Sequence, residues 1–348
     1  MKYNIFVKNN DAYKEKQIAL WKSSLQNIPA RRYSWFYEQN PYAEPITVLA
    51  ATDTSAVVGN CSIYHRNIIL DRSKVRMGIA SDFAVDEKHR VFGPALKMQR
   101  LLVDEALKKE CSFLFAFPNN NSRGLFERVG YERLGELQSG IKVLKSRRWV
   151  ERKTENRFFN YLISPIIDFA FACYDWLLYG LYSRKCIIRP GFAPGKDYDK
   201  LWDQAHKTYS IVGEKTSRYL KWRYTDNPAK DYQFINAYDK GGILRGFMVF
   251  SFKAKQVVLE EIFAEHHDKN TVEALLSAFI ATMRKQDFEQ IIFGYLGDNW
   301  IIRILKKHFF FIRSENRLCL ILTKAKGKDK EYLFKADHWF LFESEMDI

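Results

Sequence analysis

The 348-residue sequence lacks paired cysteines: Cys61, Cys111, Cys173, Cys186 and Cys319 are odd in number, scattered, and form no C-x-x-C pair. That pattern argues against a disulfide framework and against structural zinc, and it favours reduced thiols. An apolar leader is also missing, since residues 1–10 are polar, so the expected home is a reducing cytoplasm. Disorder is excluded by the opposite circumstance, an ample supply of core formers: 47% of residues are hydrophobic and 28% charged. Acidic charge is the scarcer kind. Fifty-five Lys and Arg face 41 Asp and Glu, a net +14, and residues 1–150 hold 24 basic against 15 acidic side chains. This excess favours an anionic partner, whether cofactor phosphate, nucleotide-linked substrate, nucleic acid or anionic membrane, and does not choose among them.

The length suits two moderate domains, and the sequence repeats accordingly. Trp35-Phe-Tyr37-Glu-Gln-Asn40-Pro41 is matched 187 residues later by Trp222-Arg-Tyr224-Thr-Asp-Asn227-Pro228, and Gly59 and Gly246 keep that offset. Further on the offset becomes 178, aligning Phe113–Phe117 with Ile291–Tyr295 and Ile141 with Cys319. A unit of this length is a duplicated domain rather than a solenoid repeat. The first copy predicts strands over 45–51, 57–64, 79–85 and 112–117, with helices over 94–109 and 122–129, the second ended by Gly130. The second copy predicts strands over 233–238, 246–252 and 257–263, then helices over 271–284 and 300–307. Interleaved strands and helices give an α/β class with mixed sheets. We divide the chain into 1–150, a helical linker at 151–200, and a diverged second domain at 201–348.

The linker holds an apolar stretch, residues 158–182. Asn160, Ser164, Asp168 and Asp175 fall within about 80° of arc on a helix, a single polar stripe. Pro165 and two internal acids make a bilayer span costly. A bridging helix packed on the domains is the expectation, with peripheral membrane contact as a further one.

The chemically informative stretch runs from Asp82-Phe-Ala84-Val85 through Arg90-Val91-Phe92-Gly93-Pro94-Ala95. A strand enters a short loop that opens a long helix, and a helix start offers free N–H groups and positive dipole to an anion. Gly93 allows close backbone approach, Pro94 suits a first helical turn, and Arg90 and Lys97 add charge. Downstream, Asn119-Asn-Asn-Ser122-Arg-Gly-Leu-Phe126-Glu-Arg-Val-Gly130-Tyr131 follows the next strand.

Together these segments resemble the GNAT (acyl-CoA N-acyltransferase) superfamily, whose Arg/Gln-x-x-Gly-x-Gly/Ala loop precedes an Asn-x-x-Ser/Ala-x-x-x-Tyr/Phe-x-x-x-Gly-Phe/Tyr segment. The resemblance covers residues 1–145 by motif and 200–348 by repetition. It implies two GNAT-like domains and acetyl-CoA, or another acyl-CoA, as co-substrate, with no metal. Residues 90–95 would cradle the pyrophosphate, and Ala84 and Val85 would pair with pantetheine. Asn119 and Ser122 would face the pantetheine side, with Phe126 lining the site. Many relatives carry Tyr at the Phe126 position to protonate the thiolate, which Phe126 cannot do. Asp82 is the candidate base and His65 a weaker one. The second copy places Asp268 and Thr271 opposite Arg90 and Gly93, so an acidic loop replaces the phosphate-binding one. Its His266 and His267 read as a solvated turn.

The tandem arrangement and the Trp339–Phe342 tail are similar to bacterial acetyltransferases of surface-polysaccharide assembly, which implies a small or sugar-like amine acceptor. Two other readings stand beside this one. Tandem-GNAT aminoacyltransferases use charged tRNA but generally lack the CoA loop, so a nucleic-acid partner is not expected. A non-catalytic GNAT-fold binding protein is the other.

Overall fold

The computed structural model describes residues 2–9, 11–25, 31–90, 93–109, 111–151, 157–286 and 288–346. The first half contains β1 (Asn4–Val7), α1 (Lys14–Ser24), β2 (Ile46–Ala51), β3 (Val57–Leu70), β4 (Ser73–Val85), α2 (Ala95–Lys108), β5 (Phe113–Ala116), α3 (Arg123–Val129) and β6 (Glu132–Val143). The linker carries α4 (Arg147–Glu151), α5 (Arg157–Tyr182) and β7 (Ile187–Gly191). The second half begins with α6 (Lys196–Ala205), β8 (Ile211–Gly213), α7 (Ser217–Leu220), β9 (Tyr232–Tyr238), β10 (Leu244–Lys253) and β11 (Gln256–Ala264). It ends with α8 (Lys269–Lys285), β12 (Gln290–Gly297), α9 (Asn299–Lys307), β13 (Phe311–Thr323), α10 (Gly327–Leu333) and β14 (Trp339–Phe342).

The elements predicted from periodicity are present, and two are longer than expected. β3 and β4 continue past Tyr64 and ahead of Ile79 into a long hairpin, closed at Asp71 and Arg72 with φ of 45° and 67°. Two successive positive φ values make the tight hairpin turn whose twist matches its strands. Gly130 ends α3 at φ 108°, as its position suggested.

One mixed sheet unites both halves, in the order β1-β2-β3-β4-β5-β13-β6-β12-β11-β10-β9-β7. The halves exchange their last strands. β13, from the second half, pairs with β5, while β6, from the first, pairs with β12. Leu318, Leu320 and Leu322 of β13 therefore pack with Met98, Leu102 and Phe126 in the core of the first half. Sequential boundaries at 150 and 201 do not reveal this exchange, because a strand's hydrophobic alternation does not state which neighbour it will pair with.

The repeated tryptophans meet at the centre. Trp35 and Trp222 stack at 5.0 Å and 15°, and each indole N–H donates to the other's main-chain carbonyl at 2.7 and 2.9 Å. The repeated asparagines each fix a local turn, Asn40 accepting from the Tyr42 amide and Asn227 from the Ala229 amide. These reciprocal contacts give the recurring Trp-x-Tyr-x-x-Asn-Pro segment its structural meaning.

Candidate functional site

β4 and β5 run parallel for only three residue pairs, Met77 with Phe113 through Ile79 with Phe115. β4 then continues to Val85 while β5 ends at Ala116, so the two strands part. The cause is local. Register between β3 and β4 shifts between Asn60 and Ser62, and Asp82 sits at φ 50°. Ala80 and Phe83, three residues apart, both face the core under α2, which marks the extra residue of a β-bulge. The Asn60 side chain donates to the Asp82 carbonyl at 2.6 Å, satisfying a main-chain acceptor that the bulge displaces from the ladder.

The Asp82 carboxylate is held just as closely. One oxygen pairs with Arg32, and the other accepts from the Tyr37 hydroxyl at 2.7 Å; both Arg32 and Asp82 are only 4% exposed. Tyr37 continues the chain to Ser62 at 2.8 Å and Ser62 to Thr47 at 3.0 Å. Burial, and next the Asp82 charge, hold the Tyr37 hydroxyl well above its usual pKa. The second half repeats the pairing: Tyr224, 187 residues after Tyr37, donates to Glu261, which is ion-paired with Lys215. Sequence reasoning singled out Asp82 but missed Arg32, Asn60 and the role of Tyr37. The repeated Tyr37 and Tyr224 were the available signal.

His65 does not join Asp82. It is three positions beyond Ser62 on an unbroken part of β3, and so on the other face of the sheet. There its Nδ1 lies 3.5 Å from the Cys111 thiol. Burial, then repulsion from Arg76 and Lys109, lower its pKa to about 4, while burial raises the Cys111 thiol to about 11. Both groups are neutral at ordinary pH.

At the mouth of the cleft, Glu87–His89 form a short turn and α2 begins after Pro94. No side chain among the described residues caps α2 at Pro94. Val91 and Phe92 lie outside the described residues. A Cβ built on Gly93 would stand 1.8 Å from the His89 carbonyl oxygen, so the loop's own backbone demands glycine here. This adds to the expectation drawn from a ligand's approach. Arg90 Nε donates to the Val85 carbonyl at 3.1 Å, so the loop's arginine engages a strand-end group. Ala84 is paired with Asn60 across the hairpin.

Asn119 turns its carboxamide oxygen onto the Asn121 and Ser122 amides and the Ser122 hydroxyl, bracing the start of α3. Phe126 is buried, edge-on to Phe83 at 6.2 Å and to Tyr131 at 5.1 Å. It supplies packing and no proton.

The second half differs at the helix start and at the strand opening. Asp268 caps α8 with its own carboxylate, accepting from the Thr271 amide at 3.1 Å and hydroxyl at 2.6 Å. That carboxylate takes the anion-favouring position of the helix start. Beyond its parallel run with β11, β12 pairs with β14 over Tyr295–Gly297, and residues 343–345 pack beside both strands. There Glu345 is buried with Arg66 and Lys215. The sequence's own tail thus fills the second opening. Asp298 joins His266 and His267 to bring three potential ligand atoms within 4.8 Å. Both ring nitrogens of His266 are engaged, by the Thr208 carbonyl and by Asp298 at 2.7 Å, as in an ordinary ion-paired turn.

The first half thus sets two strands parted at a bulge beside a helix start that no side chain among the described residues caps. The sequence of residues 12–131, about a third of the chain, matches the acetyltransferase (GNAT) family model. No curated protein matches the chain. Many solved structures share its fold, three of them as follows. A probable N-acyltransferase from Enterococcus faecalis V583 aligns with a TM-score of 0.66 at 12% identity, covering 92% of this chain and 72% of that one. A GCN5-related N-acetyltransferase from Kribbella flavida aligns at 0.62 and 14% identity, covering 96% and 74%. Saccharomyces cerevisiae N-myristoyltransferase with bound myristoyl-CoA aligns at 0.58 and 10% identity, covering 94% and 82%.

Proposed function

We propose that the protein is an acyl-CoA-dependent N-acyltransferase, with acetyl-CoA as the simplest donor, an amine as acceptor and a single working site in the first half. The observation that carries this is the contrast between the helix starts: among the described residues no side chain caps α2, whereas Asp268 caps α8. Backbone groups of Arg90, Val91, Phe92, Gly93, Pro94 and Ala95 would grip the pyrophosphate, because N–H groups of a first helical turn have no partners within the helix. Pantetheine would enter as an added strand along Ala84 and Val85, displacing Arg90 from the Val85 carbonyl and freeing its guanidinium for phosphate. Asn119 and Ser122 would stand on its other side, and the thioester would reach the opening between β4 and β5.

The acceptor amine must be neutral to attack, and the leaving thiolate needs a proton. Asp82 is already engaged by Arg32 and Tyr37, so we assign it to anchoring the bulge, with solvent relaying the protons. The halves are read as a duplication in which the second serves as scaffold. Its repeated segments and tail are the features similar to polysaccharide-associated acetyltransferases, and an amino-sugar acceptor is proposed on that similarity.

The test is release of free CoA thiol from acyl-CoAs of increasing chain length across a panel of amines and amino sugars. Release with one acceptor supports the proposal. Binding of CoA without turnover on any acceptor would favour a second reading, a GNAT-fold binding protein, which the engaged Asp82 and the hydroxyl-free Phe126 suggest. Failure to bind any CoA thioester would defeat both.

A further inference from the structure

α5 is amphipathic in the reverse of the usual sense. Its polar stripe faces the protein. Asp175 pairs with Lys142 of β6 at 2.8 Å and with Arg284 of α8 at 2.6 Å, and Asp168 accepts from the Ser146 amide at 2.7 Å. Ser164 is buried in the same interface. The opposite face is apolar and open to solvent: Ile166 is 68% exposed, Phe169 72% and Trp176 75%, with Leu162, Leu177 and Leu181 each above half. Positions 162, 166, 169, 173, 176 and 180 recur at the spacing of one helical face. Nearby, Phe309 and Phe311 extend the patch, Phe309 packing on Phe171 and Tyr174. A contiguous apolar surface of this kind marks an interaction site.

Charge around the patch selects the partner. Lys145, Arg147 and Arg148 lie at one end of α5, Arg184 and Lys185 at the other, and Lys306 beside it, all exposed. Arg147 and Arg148 each have one surface carboxylate, Glu151 and Glu289; the cations still outnumber the acids at the rim. A second copy of the chain would bring one set of cations against another in either helix orientation. An anionic lipid surface meets the apolar face and the cationic rim together.

We infer that α5 is an interfacial membrane anchor, lying in the headgroup plane of an anionic bilayer with Ile166, Phe169 and Trp176 inserted. By length and composition Leu162–Tyr182 could cross a membrane. Crossing would strip Asp168 and Asp175 from their partners on the sheet and place both in hydrocarbon, whereas lying flat keeps every inward contact. The inference is independent of the donor reading, since it uses no residue of the β4–β5 opening.

The test uses the full chain with Cys186 replaced by Ser and an environment-sensitive fluorophore on Cys173, the exposed cysteine of the apolar face. Vesicles of phosphatidylcholine, with and without phosphatidylglycerol, serve as probes in co-sedimentation. The expected result is binding that requires phosphatidylglycerol, a blue shift of the fluorophore, and release of the protein from vesicles by alkaline carbonate. Phe169→Ser with Trp176→Ser should weaken partitioning by at least about tenfold, because two inserted aromatics are lost. Arg184→Gln with Lys185→Gln should weaken binding to anionic vesicles severalfold. Absence of binding, retention after carbonate, or a blue shift caused by dimerisation without lipid would each overturn the inference.

Discussion

Replacing Asp82 by Asn separates an anchoring carboxylate from a catalytic base, because the two roles predict opposite patterns of stability and rate. In the folded chain Asp82 and Arg32 form a buried ion pair, and Tyr37 donates to the second carboxylate oxygen. Asn removes the charge and leaves the Arg32 guanidinium with no counter-charge at Asp82, apart from its place 5.0 Å over the Phe36 ring. Breaking one side of a buried pair costs about 3–5 kcal/mol, and an amide that still accepts from Tyr37 keeps the figure near the lower end. In a chain of this size a kcal/mol moves the melting temperature by roughly 2 °C, so a drop of about 6 °C is expected.

Thermal melting and urea denaturation read this directly, and Arg32→Met in the same background supplies the control. The double variant Arg32→Met with Asp82→Asn should lose less stability than the two single variants summed, because both singles break the same pair. Thiol release by each variant should fall in step with the fraction folded. The reasoning is refuted if Asp82→Asn melts within about 1 °C of the parent while turnover falls roughly a hundredfold. That outcome would make Asp82 the base.

Three further perturbations follow from named contacts. His65 has an ordinary pKa of 6.5 and is lowered to about 4 in the fold. The unfolded chain therefore takes up a proton first as pH falls, stability declines between about 6.5 and 4, and His65→Gln should flatten that part of the urea-midpoint profile by up to about 3 kcal/mol. Gly93→Ala forces its Cβ against the His89 carbonyl, and loop strain of roughly 1–3 kcal/mol should weaken acetyl-CoA binding about tenfold or more by calorimetry. Trp222→Ala removes the Trp35 stack and the indole bond to the Trp35 carbonyl while keeping the residue-222 carbonyl that accepts from Trp35, and should cost about 3–5 kcal/mol in urea denaturation.

Much of the fold was legible because its signals are local. Alternating apolar residues gave the strands, Pro94 and Gly130 bounded the helices they adjoin, and the 187-residue offset located the halves. What escaped was non-local. The exchange of β6 and β13 depends on which edge each strand meets, and nothing within residues 132–143 or 311–323 encodes that choice. The ion pair of Asp82 spans 50 residues to Arg32, so Asp82 was read as a candidate base without its partner in view. The polar stripe of α5 was found, but periodicity alone does not say which face turns inward. Here buried Lys142 and nearby Arg284 recruit Asp175, the Ser146 amide holds Asp168, and the ordinary rule reverses.

The exchange of strands bears on how the two halves divide their labour. The core beneath α2 is completed by Leu318, Leu320 and Leu322, so the half carrying the glycine loop has no finished sheet of its own. The second half, whose helix start is capped by the Asp268 carboxylate, is not a dispensable companion of the first. It cannot be removed without opening the first core to water along β5, where β13 supplies the neighbouring strand. Its own opening is meanwhile closed by β14 and the residues that follow, with Glu345 holding Arg66 of β3 and Lys215 in a buried cluster that spans both halves. The tail therefore does two things at once, filling the second cleft and tying it to the long hairpin that ends at the first. Rigidity at the β4 bulge is inherited from that union: the reciprocal Trp35–Trp222 contact fixes the turn that carries Tyr37, and Tyr37 fixes Asp82.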